Sequence, residues 1–340
     1  MKRLPRFARG VIAAVALSVL GQGAVWGETT TVRIGHQFGL GYLPLYVMEG
    51  QKLVEKYAQK EGLTSITVQY STIGSTSALA DQILSGNIDF ASAGPPPFLV
   101  LWDHTLGSVR AVRMVCALNE QPMKLNTNDP NVHSLKDLSL ARDRIAVPSI
   151  KTSMHSILLG MAAEQLWGPG NYARLEPMQV PLKHPDAVAA LLSGKSDITT
   201  HFATIPFSYT ELADPHVHTI LTASQITGGP TTITGIWGTE EFRKKNPKAF
   251  HAVFKAIEEA VNFINKDHAG AAKLYIALTH SSMTQEQIEK MLADPEVKFG
   301  VTPHKTMIYA NYMHHVGMLK HQPKSWKDLF FSDVYGLPGS

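Results

Sequence analysis

The feature that most constrains the fold is an internal repeat in the sequence. Residues 80–89 and 188–197 share a Leu-Ser-Gly motif and a following Asp at one constant offset. Each copy continues to a Pro-Phe pair, Pro97-Phe98 in the first and Pro206-Phe207 in the second, with a slip of one residue. The shared pattern predicts a helix stopped by glycine, a short buried strand and a proline-terminated loop. Two halves of the chain therefore contain the same unit, which favours a protein of two similar lobes.

Strands and helices alternate around both copies of the repeat. β-branched runs predict strands at residues 31–34, 66–70, 88–93 and 144–148, with proline at 95–97 breaking the third. Helical spacing of apolar residues predicts helices at 42–57 and 157–166. The last third of the chain is predicted to be helical, with Asn246-Pro247 opening a long amphipathic helix. This alternation indicates an α/β protein with mainly parallel sheets.

Cysteine and histidine usage limits the chemistry of the chain. A single cysteine in 340 residues excludes a disulfide framework and any cysteine-based zinc or iron–sulfur site. Cys116 lies in an apolar run and is expected to be a buried thiol. The close histidine pairs His216/His218 and His314/His315 have no carboxylate at zinc-like spacing, so metal binding is not expected.

The first residues have the pattern of an export signal. Four basic residues precede an apolar run at 11–20, and small residues follow it, so residues 1–27 are predicted to be a signal peptide that directs the protein to the periplasm. Without those four, 27 basic residues face 28 acidic ones, from totals of 31 and 28. The mature chain is therefore close to neutral, and neither nucleic acid nor an anionic membrane is expected as a partner. No later segment has the apolar length of a membrane span.

These elements together resemble the type II periplasmic solute-binding proteins of ABC importers, in their nitrate-, sulfonate- and taurine-binding branch, which shares its fold with thiamine-pyrimidine-synthesis-like proteins. The resemblance rests on residues 34–44, 84–90, 147–155, 193–197 and 242–264. It implies a two-lobed periplasmic binding protein type II fold, each lobe a mainly parallel sheet flanked by helices, with a helical C-terminal region.

The same resemblance implies how the chain is divided between the lobes. Residues 28–118 and 230–340 would form lobe 1 with the C-terminal helices, and residues 119–229 would form lobe 2. The chain would cross between the lobes near residues 117–121 and 226–232, with the ligand in the cleft. Loops at the carboxyl ends of strands would line that cleft.

Candidate ligand-binding residues come from loops that follow strands in both halves. Hydroxyl and N–H groups at a helix N-terminus make a neutral anion receptor, glycine allows close approach of a ligand to the backbone, and aromatic side chains can wall an apolar tail. Ordinary N-capping or core packing would explain several of the same residues. The candidates are His36, Gln37, Phe38, Tyr42, Thr72, Ser75, Thr76, Gly94, Pro95, Lys151, Thr152, Ser153, His201 and Trp237.

The predicted function is the periplasmic substrate-binding component of an ABC importer for a small organic oxyanion, such as a sulfonate or taurine, or for nitrate. Its partners would be this solute and the permease and ATPase subunits, the protein would be a monomer, and no cofactor is expected. A neutral thiamine-precursor pyrimidine is an alternative ligand, and presentation of ligand to a sensor is an alternative role. Catalysis is not expected, since the sequence has no nucleophile elbow, phosphate loop or paired catalytic carboxylates.

Overall fold

The computed structural model describes residues 27–340. The predicted signal peptide, residues 1–27, lies outside this part of the chain except for Gly27. The described chain forms eleven strands in two sheets, with these bounds: β1 Thr31–His36, β2 Thr67–Thr72, β3 Phe90–Ala93, β4 Val112–Glu120, β5 Lys124–Thr127, β6 Ile145–Val147, β7 Gln179–Pro181, β8 Thr200–Ala203, β9 His218–Thr222, β10 Thr234–Thr239 and β11 Lys298–Phe299.

Thirteen α-helices pack on the two sheets in the described residues. They are α1 Leu43–Gly50, α2 Leu53–Lys60, α3 Thr76–Ser85, α4 Pro95–Thr105, α5 Met154–Trp167, α6 His184–Ser193, α7 Phe207–Leu212, α8 Ala223–Thr227, α9 Glu240–Lys245, α10 Pro247–Lys266, α11 His268–Thr279, α12 Gln285–Leu292 and α13 Met307–His315. The expected α/β class and the helical C-terminal region are confirmed.

The two sheets share one topology, which explains the sequence repeat. The first sheet has the order β11-β4-β10-β3-β1-β2, and the second has the order β7-β6-β8-β5-β9. In each sheet the strand that follows the repeated helix, β3 or β8, pairs in parallel with the first strand of its βαβ unit, β1 or β6. Both repeated helices, α3 and α6, end at a glycine in the left-handed conformation, Gly86 with φ 78° and Gly194 with φ 60°.

Each sheet has one main strand direction, with β10 and β11 reversed in the first sheet and β5 reversed in the second. Four strand pairings are parallel and five are antiparallel, the antiparallel ones involving β4, β10 and β11 in the first sheet and β5 and β9 in the second. Within their sheets β1, β2, β3 and β4 share one direction, and so do β6, β7, β8 and β9, so the expectation of mainly parallel sheets is confirmed. The antiparallel pairings arise where β10 and β5, the strands that enter each sheet after the chain has crossed between the sheets, lie in the opposite direction between two of the others.

Two local predictions are also corrected. The predicted helix over 42–57 is two helices, α1 and α2, because Lys52 adopts the left-handed conformation between them. The proline run at 95–97 forms the first turn of α4 rather than a loop, with Gly94 as the N-cap. The N–H groups of a first helical turn have no partner within the helix, so proline can occupy these positions without loss of a backbone hydrogen bond. Cys116 is fully buried in β4, as expected.

Two short connections join the sheets. The chain leaves β4 at Glu120 and enters β5 at Lys124, and it returns between α8 and β10 through residues 228–233. The C-terminal segment forms hydrogen bonds at both connections. His304 Nδ1 lies 3.0 Å from a Glu120 carboxylate oxygen, and its backbone N–H donates to the Thr232 hydroxyl over 2.8 Å. The sheets, with the helices packed on them, are called the first lobe and the second lobe below.

No helix in residues 27–340 has the length and apolar character needed to span a membrane. Over the same residues, His, Cys, Asp and Glu side chains form no group of three or more that could hold a metal ion.

Candidate functional site

A small cavity lies where the two lobes meet. The lobes touch on both sides of it: the Leu40 N–H donates to the Ile205 carbonyl over 2.9 Å, and the Thr76 N–H donates to the Ser149 hydroxyl over 3.2 Å. The cavity between these contacts has a volume of about 20 Å³. That volume holds about one water molecule, so the lobes lie close together in this structure.

Four helices begin at this cavity, two from each lobe. Thr76 at the start of α3 and Gly94, the N-cap of α4, come from the first lobe. Ser153, the N-cap of α5, and His184, the first residue of α6, come from the second. Each helix N-terminus carries partial positive charge from the helix dipole. The first three residues of α4 are prolines without N–H groups, so α4 contributes its dipole but no first-turn donor. The cavity is therefore electropositive without a cationic side chain.

Polar side chains that line the cavity retain free hydrogen-bonding capacity. His155 is 6% exposed, and neither of its ring nitrogens has a hydrogen-bond partner in residues 27–340. Burial lowers the pKa of His155 to about 3, so the ring is neutral and offers one donor and one acceptor. Gln121 lines the same cavity, and its Oε1 is buried without a partner in the described chain. Buried groups of this kind are costly unless something pairs with them.

None of the cavity-lining side chains in residues 27–340 is Asp, Glu, Lys or Arg. Burial also lowers the pKa of His184, which keeps this second cavity histidine neutral. Gln37 and Tyr42 are held by local bonds: the Gln37 amide donates to Thr76 Oγ1 over 3.2 Å, and the Tyr42 hydroxyl donates to Gln37 Oε1 over 3.4 Å. The site can therefore hold a small anionic or neutral head group by hydrogen bonds and helix dipoles.

A second, larger cavity opens beside the first and has a volume of about 420 Å³. Phe38 and Gly39 line both cavities. The larger one is walled by side chains from both lobes, including four aromatic rings, and by hydroxyl groups from β2 and α11. Its aromatic residues are Phe38, Tyr46, Phe207 and Tyr275.

Six of the fourteen candidate residues meet at the small cavity. They are Gln37, Phe38, Tyr42, Thr76, Gly94 and Ser153. Thr72 lines the larger cavity instead. Two more lie directly behind this surface: His36 is buried and stacks on Tyr42 at a ring distance of 5.7 Å, and Ser75 caps α3 by accepting the Ala78 N–H.

The other five candidates do not line either cavity. Trp237 is fully buried in β10 and packs against Phe98, so it belongs to the core of the first lobe. His201 is fully buried in β8, and Pro95 is buried in the first turn of α4. The Lys151 side chain is 64% exposed and pairs with Glu176. Thr152 lies at the lobe contact, 3.4 Å from the Ser77 hydroxyl.

Sequence reasoning missed several cavity residues. His155 lies two residues beyond the predicted hydroxyl pair, Thr152 and Ser153, and Gln121 lies at the end of a predicted crossing segment. His184 is followed by proline and then by Asp186 in the first turn of α6, a pattern that marks a helix start. The remaining missed residues are Gly39, Pro97, Met123, Met154, Thr204, Ile233 and Thr234.

Two α/β lobes with a cavity at their junction define the class: this is the periplasmic binding protein fold. A family model described as the NMT1-like family matches residues 26–278. The chain belongs to the NMT1-like family. A search of curated protein sequences finds no match.

Solved structures share the fold at low sequence identity. The alkanesulfonate-binding protein SsuA from Xanthomonas axonopodis pv. citri, bound to MOPS, has a TM-score of 0.66 and 17% identity, over 87% of this chain and 96% of that one. The nitrate-binding protein NrtA from Synechocystis PCC 6803 has a TM-score of 0.66 and 16% identity, over 86% and 83%. The aliphatic sulphonate-binding protein SsuA from Escherichia coli has a TM-score of 0.63 and 15% identity, over 89% and 92%.

Proposed function

We propose that the protein is the periplasmic substrate-binding component of an ABC importer and that it binds a small organic oxyanion between its lobes. The observation that carries the proposal is the meeting of four helix N-termini at one cavity whose lining, over residues 27–340, includes no Asp, Glu, Lys or Arg. Such a site favours an anion and provides no carboxylate to hold an amine. The printed names of structurally similar proteins, which refer to sulfonates and nitrate, agree with this chemistry.

The larger cavity favours an organic anion over nitrate. A head group at the small cavity would sit next to Phe38 and Gly39, which also wall the larger one. An apolar substituent could extend past Phe38 to Phe207 and Tyr275, where burial of apolar surface would add affinity. Nitrate has no such substituent and would gain nothing from those rings.

Ligand entry requires the lobes to separate. A volume of about 20 Å³ is too small for any sulfonate. The short connections at residues 121–123 and 228–233 are where backbone rotation would move one lobe against the other, as in hinge closure generally. We propose that the first lobe consists of residues 28–118 and 230–340 and the second lobe of residues 119–229. We also propose that residues 1–27 are an export signal and that the protein is a monomer.

Calorimetric titration of the leaderless chain, unfolded and refolded to strip any carried solute, tests the proposal. The ligands are methanesulfonate, butanesulfonate, benzenesulfonate, nitrate and an aminopyrimidine that stands for the neutral alternative. We expect sulfonate binding that tightens with apolar substituent size. Binding of the pyrimidine alone would contradict the oxyanion assignment.

A matched pair of variants localises the site. His155→Phe removes both free ring nitrogens at the cavity and should weaken sulfonate binding about tenfold or more, the value of one hydrogen bond to a charged group. His216→Phe makes the same change at a side chain that is 86% exposed, and should leave binding unchanged. Equal affinity of both variants would place the ligand elsewhere.

A further inference from the structure

A buried chain of polar side chains in the second lobe starts at the cavity and leads away from it. His184 Nδ1 lies 2.8 Å from His201 Nε2, and His201 Nδ1 bonds Glu211 Oε1. The other Glu211 oxygen accepts from the Asn126 amide over 2.8 Å, and Asn126 Oδ1 accepts from the Thr219 hydroxyl over 2.7 Å. His201, Glu211 and Asn126 are all fully buried. Only His184 reaches the cavity, so ligand contact does not explain the rest.

These contacts fit an ionised Glu211. The Thr219 hydroxyl can donate to Asn126 Oδ1, which turns the amide nitrogen of Asn126 toward Glu211. Glu211 then accepts at one oxygen from an amide and at the other from a histidine N–H. A fully buried carboxylate of this kind requires an opposite charge beside it. His201 is the one basic side chain that pairs with Glu211 in residues 27–340.

We propose that Glu211 holds His201 as an imidazolium and that His201 fixes His184 in the tautomer that presents its Nε2–H to the cavity. An imidazolium donates from both nitrogens, so His201 Nε2 donates to His184 Nδ1 and the single proton of a neutral His184 resides on Nε2. His201 and Glu211 are then positioning residues that set the hydrogen-bonding polarity of the cavity. This deepens the proposed function and rests on it, because a donor at this point selects an oxygen-rich head group.

The surroundings of His184 agree with a neutral, oriented ring. Phe207 stacks on it at 5.1 Å, and His155 packs edge-on at 4.9 Å. Burial and the neighbouring His155 and His201 lower its pKa, so it carries one ring proton. In residues 27–340 the hydrogen bond of this ring is made through Nδ1, and His184 lines the cavity, so Nε2 is the ring nitrogen that remains for a ligand. If His201 were neutral with its proton on Nδ1, its Nε2 would accept from His184 Nδ1–H. A lone pair on His184 Nε2 would then remain for the cavity, and the Glu211 carboxylate would have no opposite charge beside it.

Nitrogen-15 NMR of the histidine side chains in the ligand-free, leaderless chain tests the proposal directly. His184→Phe and His201→Phe assign the signals. We expect His201 to carry protons on both nitrogens and His184 to carry its proton on Nε2. A neutral His201 with a His184 proton on Nδ1 overturns the proposal. Because no ligand is present, this result does not depend on the proposed function.

Two variants extend the test to the chain of contacts. Glu211→Gln keeps the side-chain volume and removes the charge. Because the Asn126 amide nitrogen donates to one end of residue 211, the new amide turns its oxygen to Asn126 and its NH2 to His201 Nδ1, so His201 should become neutral with its proton on Nε2. Thr219→Val removes a hydroxyl at the far end of the chain without changing charge, and should leave both histidines as in the original protein. A Glu211→Gln spectrum identical to that of the original protein overturns the proposal. Should Glu211→Gln fail to fold, the spectrum of the unsubstituted chain decides alone.

Titration with methanesulfonate separates this inference from the function on which it rests. His201→Phe removes the group that holds the His184 proton on Nε2 and should bind methanesulfonate about tenfold more weakly than Thr219→Val does. If the expected tautomers are found but the original protein binds no oxyanion, the proposed function fails and the tautomer assignment stands. If the protein binds methanesulfonate with the opposite tautomers, the assignment fails and the function stands.

Discussion

A methyl group added at Gly94 should hold the two lobes apart. Gly94 is the N-cap of α4 in the first lobe and lines the small cavity. A Cβ at this position would lie 3.0 Å from the Met154 Cβ of the second lobe and 3.2 Å from the Ile233 carbonyl oxygen. Its φ of −69° is one that alanine adopts freely, so Gly94→Ala adds contact without backbone strain.

The size of the effect follows from these contacts. Ordinary van der Waals contact begins at about 3.4 Å, and neither the Met154 Cβ nor a backbone carbonyl can move aside as a flexible side-chain end could. Overpacking of this kind costs about 1–3 kcal/mol. Separation of the lobes relieves the contact with Met154, so the cost applies to the closed arrangement. The affinity for a ligand that binds between closed lobes should therefore fall by about 5- to 150-fold.

Calorimetry with the tightest sulfonate from the ligand screen measures the loss of affinity, and small-angle X-ray scattering measures the expected increase in radius of gyration. Gly300→Ala is the matched control, because a Cβ at Gly300 would meet nothing within 4 Å. Loss of a good N-cap at Gly94 lowers the stability of open and closed forms alike, so it changes unfolding and not affinity. Unchanged affinity and radius in Gly94→Ala would refute this account of closure.

Three further predictions concern stability. Gly86→Ala and Gly194→Ala should each lower the free energy of unfolding by about 1 kcal/mol, since both glycines adopt a left-handed φ. Urea denaturation measures this loss. No loss at one of the two positions would show that the two caps are not equivalent. Asp89→Ala should lower the free energy of unfolding by about 1–3 kcal/mol in the same assay, because Asp89 accepts from the Arg33 backbone N–H and pairs with the Arg33 guanidinium at 2.8 Å. A loss below about 0.5 kcal/mol would contradict this role. Burial lowers the pKa of His36 to about 4 and of His155 to about 3, from 6.5. The unfolded chain therefore binds these protons first as the pH falls below 6.5, and each histidine should remove about 3 kcal/mol of stability by pH 4. His155→Phe should lose less stability than the original protein between pH 7 and pH 4, and equal losses would show that the ring is not buried neutral.

The repeat predicted more of the fold than any single motif did, because glycine caps and buried strands are local features. Gly86 and Gly194 end their helices for the same conformational reason, and the strands after them occupy the same place in their sheets. Strand direction was harder to predict. Nothing in the sequence of β10 shows that this strand runs against both of its neighbours, β3 and β4, since its direction depends on how the chain passes between lobes. The proline run before Phe98 was misread because the same residue type ends a strand and begins a helix.

In the candidate site, too, the residues with a local sequence signature were predicted, and those whose place depends on tertiary packing were not. Hydroxyls at helix starts were found because N-capping has a short sequence signature, and Thr76 and Ser153 both lie at the cavity. Trp237 and His201 were not separable from cavity residues by sequence, because a buried sheet residue and a cleft residue have the same local pattern. His201 does not line the cavity, but its ring hydrogen-bonds to His184, which does. The character of the cavity thus depends on a carboxylate, Glu211, that never reaches it. An account of ligand preference based on lining residues alone would omit the charge that orients them.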